Sequence, residues 1–211
     1  MTTVLLVDDH PAFRFVLKTQ LSQMLGITTV LEADNGQAAI DIGRQCKPDL
    51  VVLDLDIPKI GGLDVIARLK SIHPAIRILV LSSQDPKAFA PRAMQAGAKA
   101  FVSKLQDVPD IMRCIESVMA GYTLLPAEMD EIPRSPGRNA TEHEMLELLT
   151  DKELQIFRML AKGMSNKEIG DALFISNKTV SSHKMRIMGK LKVFSYLELV
   201  DLARRCNIVT V

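Results

Sequence analysis

Residues Leu50–Pro58 read LVVLDLDIP, and this segment decides the fold class. Its apolar run is β-branched in the middle and lacks polar alternation, which predicts a strand buried on both faces. The strand ends at Asp54, and Pro58 prevents its continuation. Because open α/β sheets keep their sites at the carboxyl ends of parallel strands, Asp54 is a candidate functional carboxylate.

Strands and helices alternate on both sides of this segment. Apolar runs predict strands at 4–7, 28–32, 50–54, 76–81 and 100–103, and helical spacing predicts helices at 12–25, 35–46, 63–72, 86–96 and 108–120. Such alternation is typical of an α/β fold with a doubly wound parallel sheet of five strands, which we expect in the order 2-1-3-4-5.

The remainder of the chain changes character. Residues 123–146 contain three prolines, a glycine and mixed charge, which predicts a linker between a first domain at 1–122 and a second at 147–211. The second domain is predicted to be a small all-α bundle. Four S/T-x-x-E capping boxes favour helix starts near it, at Thr141/Glu144, Thr150/Glu153, Ser165/Glu168 and Ser195/Glu198.

Charge and composition indicate which kinds of partner the chain can bind. Residues 1–125 are balanced, with 13 basic and 13 acidic side chains; residues 126–150 carry a net −4 and residues 151–211 a net +5. A basic tail suggests that only the last part meets a polyanion. Three scattered cysteines indicate reduced thiols, and no apolar run reaches membrane-spanning length, so we expect a cytoplasmic protein without a membrane partner.

Polar residues stand at the ends of four predicted strands. Asp8 and Asp9 follow the first, Asp54 ends the third, Ser82 follows the fourth and Lys104 follows the fifth. The first and third strands are neighbours in the expected order, so the three carboxylates should converge and repel unless a hard cation such as Mg²⁺ bridges them. The cation also neutralises phosphate oxygens, which lets the third-strand carboxylate act as a nucleophile.

This ordered set resembles the receiver domain of bacterial response regulators over residues 3–121. The resemblance implies that Asp54 accepts a phosphoryl group from a sensor histidine kinase or phosphotransfer domain. It also implies that Mg²⁺ is held by Asp9, Asp54 and the backbone carbonyl of Asp56, and that Asp8 acts mainly through a metal-bound water.

Four further residues take roles from the same resemblance. Ser82 and Lys104 would bind phosphoryl oxygens, and Ser82 with Phe101 would form the switch. Asp56 and Gln84 lie two residues beyond Asp54 and Ser82, in positions that flank the phosphoryl group, and are predicted to tune its lifetime.

A competing interpretation uses the same stretch. Asp54-Leu55-Asp56 fits the DxD motif of haloacid-dehalogenase-type phosphatases, in which the second aspartate is a general acid. That family gives no reason for Asp8, Asp9 or the basic tail. We therefore expect no enzyme beyond stoichiometric self-phosphorylation and autodephosphorylation at Asp54.

The tail from Leu149 to Leu191 has a helix–short turn–helix layout typical of DNA readers. In its last helix Val180, Ile187 and Leu191 form the predicted inward stripe. The segment resembles the LuxR-type helix-turn-helix, apart from Gly170 in place of the usual alanine, and with the receiver resemblance it indicates a NarL/FixJ-type response regulator, similar above all to the BvgA/EvgA branch.

The LuxR-type resemblance assigns the DNA contacts. Residues expected at or near base edges are Lys178, Ser181, Ser182, Lys184 and Met185. Residues expected at phosphates, which fix register without reading sequence, are Lys167, Thr179, Arg186 and Lys190.

The two resemblances together imply a transcription regulator of a two-component system. Phosphorylation would promote homodimerisation and binding to inverted-repeat promoter DNA, with RNA polymerase as a further partner. The alternative left open is an unphosphorylated DNA binder whose receiver serves only dimerisation.

Overall fold

The computed structural model describes residues 2–124 and 142–209, which fall into two compact units, Met1–Met129 and Asp130–Val211. The first unit contains β1 (Thr2–Val7), α1 (Pro11–Gln23), β2 (Ile27–Ala33), α2 (Gly36–Cys46), β3 (Leu50–Leu53), α3 (Gly62–Ile72), β4 (Arg77–Ser82), α4 (Pro86–Ala96), β5 (Ala100–Ser103) and α5 (Val108–Met119). The second contains α6 (Glu142–Glu147), α7 (Asp151–Ala161), α8 (Asn166–Leu173), α9 (Asn177–Leu191) and α10 (Tyr196–Arg205).

The five strands form one parallel sheet in the order β2-β1-β3-β4-β5, which confirms the predicted fold class and strand order. Val7 of β1 is in register with Leu53 of β3, so the two strands end side by side. All four residues of β3 are buried, as its unbroken apolar run predicts. The carboxyl ends of β1 and β3 are therefore fixed at one edge of the sheet.

Helices cover the sheet and exclude water from the strands. One core cluster joins alternate residues of β1, β3, β4 and β5 to Leu17 and Leu21 of α1 and to Ile111, Ile115 and Val118 of α5. This alternation follows from the period-two geometry of a strand, in which successive side chains point to opposite faces. A sheet buried this way is a rigid support for the loops at its carboxyl end.

The second unit is a bundle of helices, and three of these helices start at predicted caps. Thr150/Glu153 and Ser165/Glu168 form complete capping boxes at α7 and α8. Ser195 accepts a hydrogen bond from the backbone N–H of Glu198 at the start of α10. The fourth predicted box, Thr141/Glu144, begins outside the described residues. The stripe Val180, Ile187 and Leu191 is buried, as predicted.

The structure differs from the predicted linker bounds of 123–146 at both ends. Leu124 donates its backbone N–H to Lys99 and forms a β-bridge with Ala100, so the sheet continues past residue 122. Residues 142–146 lie in α6, where Leu146 is buried, because the prolines of the segment stop at residue 136 and leave a helix-forming stretch behind them. Residues 125–141 lie outside the described residues.

Asp107 precedes the last helix of the first unit, where an aspartate commonly caps a helix. Asp107 occupies the N-cap position of α5, but its carboxylate makes no capping hydrogen bond to a described backbone amide. Among the described residues, no helix is both long and apolar enough to cross a membrane.

The turn between α8 and α9 depends on Gly170. A Cβ atom there would lie 2.7 Å from the carbonyl oxygen of Ile175, whereas a Cβ atom at Gly189 would meet nothing within 4 Å. Gly170→Ala should therefore lower the free energy of unfolding of this unit by about 1–3 kcal/mol, less the gain in helix propensity.

Gly189→Ala is the matched control and should stabilise the unit by up to about 1 kcal/mol, the usual gain of alanine over glycine inside a helix. Hydrogen exchange of the α8 and α9 amides in the full chain measures both variants. Equal protection in the two would show that the turn tolerates a Cβ atom.

Candidate functional site

Backbone pairing at the carboxyl edge of the sheet brings the predicted site residues together. The N–H of Asp54 donates to the carbonyl of Val7 over 2.9 Å, and the N–H of Lys104 donates to the carbonyl of Ser82 over 3.0 Å. Each strand end is thus tied to its neighbour. Residues far apart in the chain meet here because the strands that precede them are adjacent and parallel.

The Lys104 ammonium bridges two buried carboxylates. Its Nζ lies 2.8 Å from Oδ2 of Asp54 and 2.5 Å from Oδ2 of Asp8, whose residues are only 3% and 2% exposed. The ammonium also lies 4.9 Å from the centroid of the Phe13 ring, a cation–π distance. Sequence reasoning missed Phe13, because an aromatic residue on α1 at helical spacing also fits the core.

Burial sets the protonation behaviour of this cluster. Desolvation raises the pKa of Asp54 and Asp8 adds to the rise, against the charge and hydrogen bond of Lys104 and the hydrogen bond from Asp56. Burial would lower the pKa of Lys104, but the charges and hydrogen bonds of Asp54 and Asp8 outweigh it and hold that pKa above its ordinary value. The aspartate is thus kept in a pocket where negative charge is costly.

The donor set fits a divalent cation. One ligand atom each of Asp8, Asp9, His10 and Asp54 lies within 4.8 Å of the others. Lys104 contacts Oδ2 of the two buried aspartates, and their Oδ1 atoms each accept one backbone hydrogen bond, which leaves a lone pair on each for a cation. Carboxylate oxygens clustered this way match the ligands that Mg²⁺ prefers. Sequence reasoning did not single out His10, although it directly follows the two aspartates.

The other predicted receiver residues lie around this cluster. Ser82 ends β4 fully buried and accepts a hydrogen bond from the backbone N–H of Gln84 over 3.2 Å. Gln84 and Phe101 are also buried. Asp56 is partly buried, and its N–H donates to Oδ1 of Asp54 over 3.0 Å. Asp56 is thus close to Asp54 in the chain, Ser82 and Gln84 lie at the end of the neighbouring strand β4, and Phe101 lies on β5, one strand further along the sheet.

The candidate nucleic-acid interface is one face of α9. The predicted contact residues that are exposed are Lys167 on α8 and, on α9, Lys178, Thr179, Ser181, Ser182, Met185 and Arg186. Met185, at 73% exposure, is an apolar side chain left in solvent on a helix whose opposite face is buried. This arrangement suits a helix that enters a DNA groove.

Two predicted contact residues face their own domain instead. Lys190 lies 2.6 Å from Oε2 of buried Glu153, and Lys184 lies 5.0 Å from the centroid of the Tyr196 ring. Burial would raise the pKa of Glu153, but hydrogen bonds from Lys190 and Thr150 outweigh it and lower that pKa. Lys190 therefore helps to hold α9 on α7, a role that sequence spacing did not reveal.

The raised pKa of Asp54 implies that the free energy of unfolding depends on pH. Because the folded-state pKa lies above the ordinary value, the ionised carboxylate destabilises the fold at neutral pH, and this cost disappears as pH falls and the group takes up a proton. In metal-free buffer with EDTA, Asp54→Asn should raise the melting temperature at neutral pH by a few degrees, at roughly 4 °C per kcal/mol.

The increase in melting temperature caused by Asp54→Asn should become smaller as the pH is lowered towards the ordinary pKa of aspartate. Calorimetry at a series of pH values measures this. Asp107→Asn is the control, because Asp107 is exposed, makes no capping bond and is replaced by an equally good N-cap residue. An unchanged or lower melting temperature for Asp54→Asn would contradict the prediction.

Comparisons with known proteins agree with this geometry. Residues 4–116 match the response regulator receiver domain family, and residues 147–203 match the bacterial regulatory proteins of the luxR family. The chain is 42% identical over 205 residues to BvgA of Bordetella pertussis (strain Tohama I), covering 97% of this chain and 98% of that protein. It is 30% identical over 204 residues to EvgA of Escherichia coli (strain K12), a DNA-binding transcriptional activator, covering 97% and 98%.

A solved structure of the RcsB response regulator of Salmonella typhimurium has the same fold, with a TM-score of 0.78, 22% sequence identity and 98% of both chains covered. The receiver domain and the LuxR-type domain occur in the predicted order, and the relatives span nearly the whole chain. The chain belongs to the two-component response regulators with a LuxR-type DNA-binding domain.

Proposed function

We propose that this protein is a transcription regulator switched by phosphorylation of Asp54. A sensor histidine kinase or phosphotransfer domain supplies the phosphoryl group, and the phosphorylated chain dimerises and binds inverted-repeat promoter DNA. The single observation that supports this most strongly is the pair of buried carboxylates of Asp8 and Asp54 bridged by Lys104 at the sheet edge.

The chemical step is a displacement at phosphorus. A carboxylate oxygen of Asp54 attacks the phosphorus of a phosphohistidine, the new P–O bond forms as the P–N bond breaks, and the imidazole leaves with the electron pair. Because negative charge is costly in the buried site of Asp54, the charge that the phosphoryl group adds must be balanced by Lys104 and the cation. Lys104 is already within hydrogen-bond distance of Asp54 and can follow the charge onto a phosphoryl oxygen.

Mg²⁺ is the cofactor that the acidic cluster suits, and it would neutralise phosphate oxygens as they approach the carboxylates. Asp9 and Asp54 would hold it with their side chains, together with the backbone carbonyl of Asp56, and Asp8 would contribute through a bound water. Asp9 is the most accessible of the three clustered aspartates, at 36% side-chain exposure, so the cation can enter from its side.

The charge change then has to be transmitted. Phosphorylation brings the acceptor to about −2, which draws Lys104 away from its other partner, Asp8. Buried Ser82 offers its hydroxyl to a second phosphoryl oxygen, and a shift of its strand end would displace Phe101, buried on the adjacent strand β5. Repacking at β4 and β5 would produce a second conformation, and dimerisation would stabilise that conformation.

The remaining roles follow from this switch. The chain accepts one phosphoryl group and loses it by hydrolysis, with Asp56 and Gln84 tuning the lifetime, rather than turning over a substrate. Its partners are promoter DNA and RNA polymerase, and its compartment is the cytoplasm, where the DNA lies. The exposed face of α9 contacts the base edges and so reads the DNA sequence. Its lysines and arginines make the affinity for DNA depend on salt concentration.

Intact mass spectrometry tests the acceptor assignment. Acetyl phosphate with Mg²⁺ should add one phosphoryl group to the wild type, and EDTA should abolish the addition. Asp54→Asn should remain unmodified, whereas Asp64→Asn, on the exposed start of α3, should be modified like the wild type. Labelled Asp54→Asn would remove Asp54 from its role, and continuous hydrolysis of small phosphomonoesters would favour the phosphatase interpretation.

DNA-binding titrations test the readout. Phosphorylated wild type should bind an inverted-repeat site about tenfold more tightly than unphosphorylated protein if the switch supplies about 1.4 kcal/mol. Ser182→Ala or Met185→Ala should change sequence preference, because both side chains are exposed on the groove-facing side of α9. Arg186→Ala should instead weaken binding to all sequences and reduce the salt dependence.

Lys190→Ala serves as the contrast. Because this substitution removes the ion-pair partner of Glu153, it should lower the stability of the domain in addition to any effect on phosphate binding. Equal affinity of phosphorylated wild type, unphosphorylated wild type and Asp54→Asn for a specific site would refute the switch and leave an unphosphorylated DNA binder.

A further inference from the structure

The His10 side chain turns towards the acidic cluster instead of capping its helix. His10 occupies the N-cap position of α1, yet its side chain makes no capping hydrogen bond. Its backbone N–H donates to Oδ1 of Asp8 over 2.8 Å, which anchors the residue, while the imidazole is 68% exposed. Nδ1 nevertheless lies 2.8 Å from Oδ1 of Asp9 and 3.3 Å from Oδ1 of Asp8.

These distances match neighbouring ligands of one first-row cation. Metal–ligand bonds of about 2.1 Å place adjacent ligand atoms roughly 3.0–3.4 Å apart, for octahedral to tetrahedral angles. The distances of 3.3 Å and 2.8 Å from Nδ1 of His10 to Oδ1 of Asp8 and of Asp9 lie in or just below this range, and a ligand atom of Asp54 lies within 4.8 Å of the others. The imidazole thus fits as a ligand without rebuilding the loop.

Lys104 does not block this arrangement. It contacts Oδ2 of Asp8 and Oδ2 of Asp54, whereas the nitrogen of His10 approaches Oδ1 of Asp8. Ammonium and imidazole therefore use different oxygens of the shared carboxylate. A cation at the Oδ1 atoms can gain a nitrogen ligand while the lysine stays in place.

Nitrogen changes which cation the site favours. Mg²⁺ prefers oxygen ligands and keeps several waters, whereas imidazole suits Zn²⁺ and related ions. We propose that His10 converts the magnesium site into a mixed oxygen–nitrogen site that binds Zn²⁺-class cations through Nδ1, in competition with Mg²⁺. The inference rests on the metal site of the proposed function but adds a ligand and a second class of ion to it.

Nuclear magnetic resonance of the full, tag-free chain labelled with ¹⁵N-histidine tests the ligand directly. The chain has only four histidines, and the His10 signals are identified by their loss in His10→Gln. Zn²⁺ should shift the Nδ1 resonance of His10 to a metal-bound position, and Mg²⁺ should leave that resonance unshifted. An unshifted Nδ1 resonance at saturating Zn²⁺ overturns the proposal.

Calorimetric titration of Zn²⁺ and Mg²⁺ measures the selectivity. His10→Gln should weaken the Zn²⁺ site about tenfold or more, since even partners one shell further from a metal cost that much, and should leave Mg²⁺ affinity within about twofold, because Mg²⁺ prefers oxygen ligands. His73→Gln, at the end of α3, is the matched control and should change neither. Equal weakening of both cations would show that His10 only positions Asp9, which overturns the proposal.

These readouts are independent of phosphorylation. If the wild type binds Zn²⁺ through His10 but gains no phosphoryl group in Mg²⁺, the proposed function fails and the mixed site stands. If phosphorylation proceeds and Zn²⁺ leaves Nδ1 unshifted, the mixed site fails alone.

Discussion

One ammonium group holds two buried carboxylates together at the carboxyl edge of the sheet. Lys104 contacts Asp8 and Asp54, so one positive charge serves two negative charges in a place where water cannot screen them. Asp9 adds a third, more exposed carboxylate nearby. The cluster is therefore short of positive charge, which explains the fit of a divalent cation, while burial is the main cause of the raised pKa of Asp54.

The sheet supplies the rigidity that this unbalanced cluster needs. Strand-end hydrogen bonds fix Asp54 to β1 and Lys104 to β4, and the helices bury both faces of the strands. The cluster cannot relieve its charge by spreading apart, because its members extend from packed strands. Relief must come from outside, by a cation or a proton. The charge deficit is thus a consequence of this packing.

The sheet and the aspartates at its carboxyl edge were predicted well from the sequence. The signals for strands are local, and the rule that places the ends of adjacent parallel strands side by side is general. Apolar runs gave the strands, and the parallel order brought Asp8 and Asp54 together without knowledge of any contact. The parts that sequence reasoning missed depend on pairs distant in the chain. Lys190 and Glu153 are 37 residues apart, and neither spacing nor charge pattern marks them as partners. His10 was missed for a different reason: it is adjacent to the aspartates, but only its rotamer directs Nδ1 at them.

Helix α9 shows that a count of basic residues can overstate the charge available to bind phosphates. The net charge of +5 on residues 151–211 suggests a surface devoted to phosphates, yet Lys190 neutralises buried Glu153 and Lys184 lies over the Tyr196 ring. Glu153 also closes the cap of α7 through Thr150, so the lysine on α9 supports the start of another helix. A phosphate that attracted Lys190 would have to compete with this carboxylate. Exposed Arg186 has no ion pair with a carboxylate among the described residues, so we expect the sequence-independent part of DNA affinity to depend more on Arg186 than on Lys190.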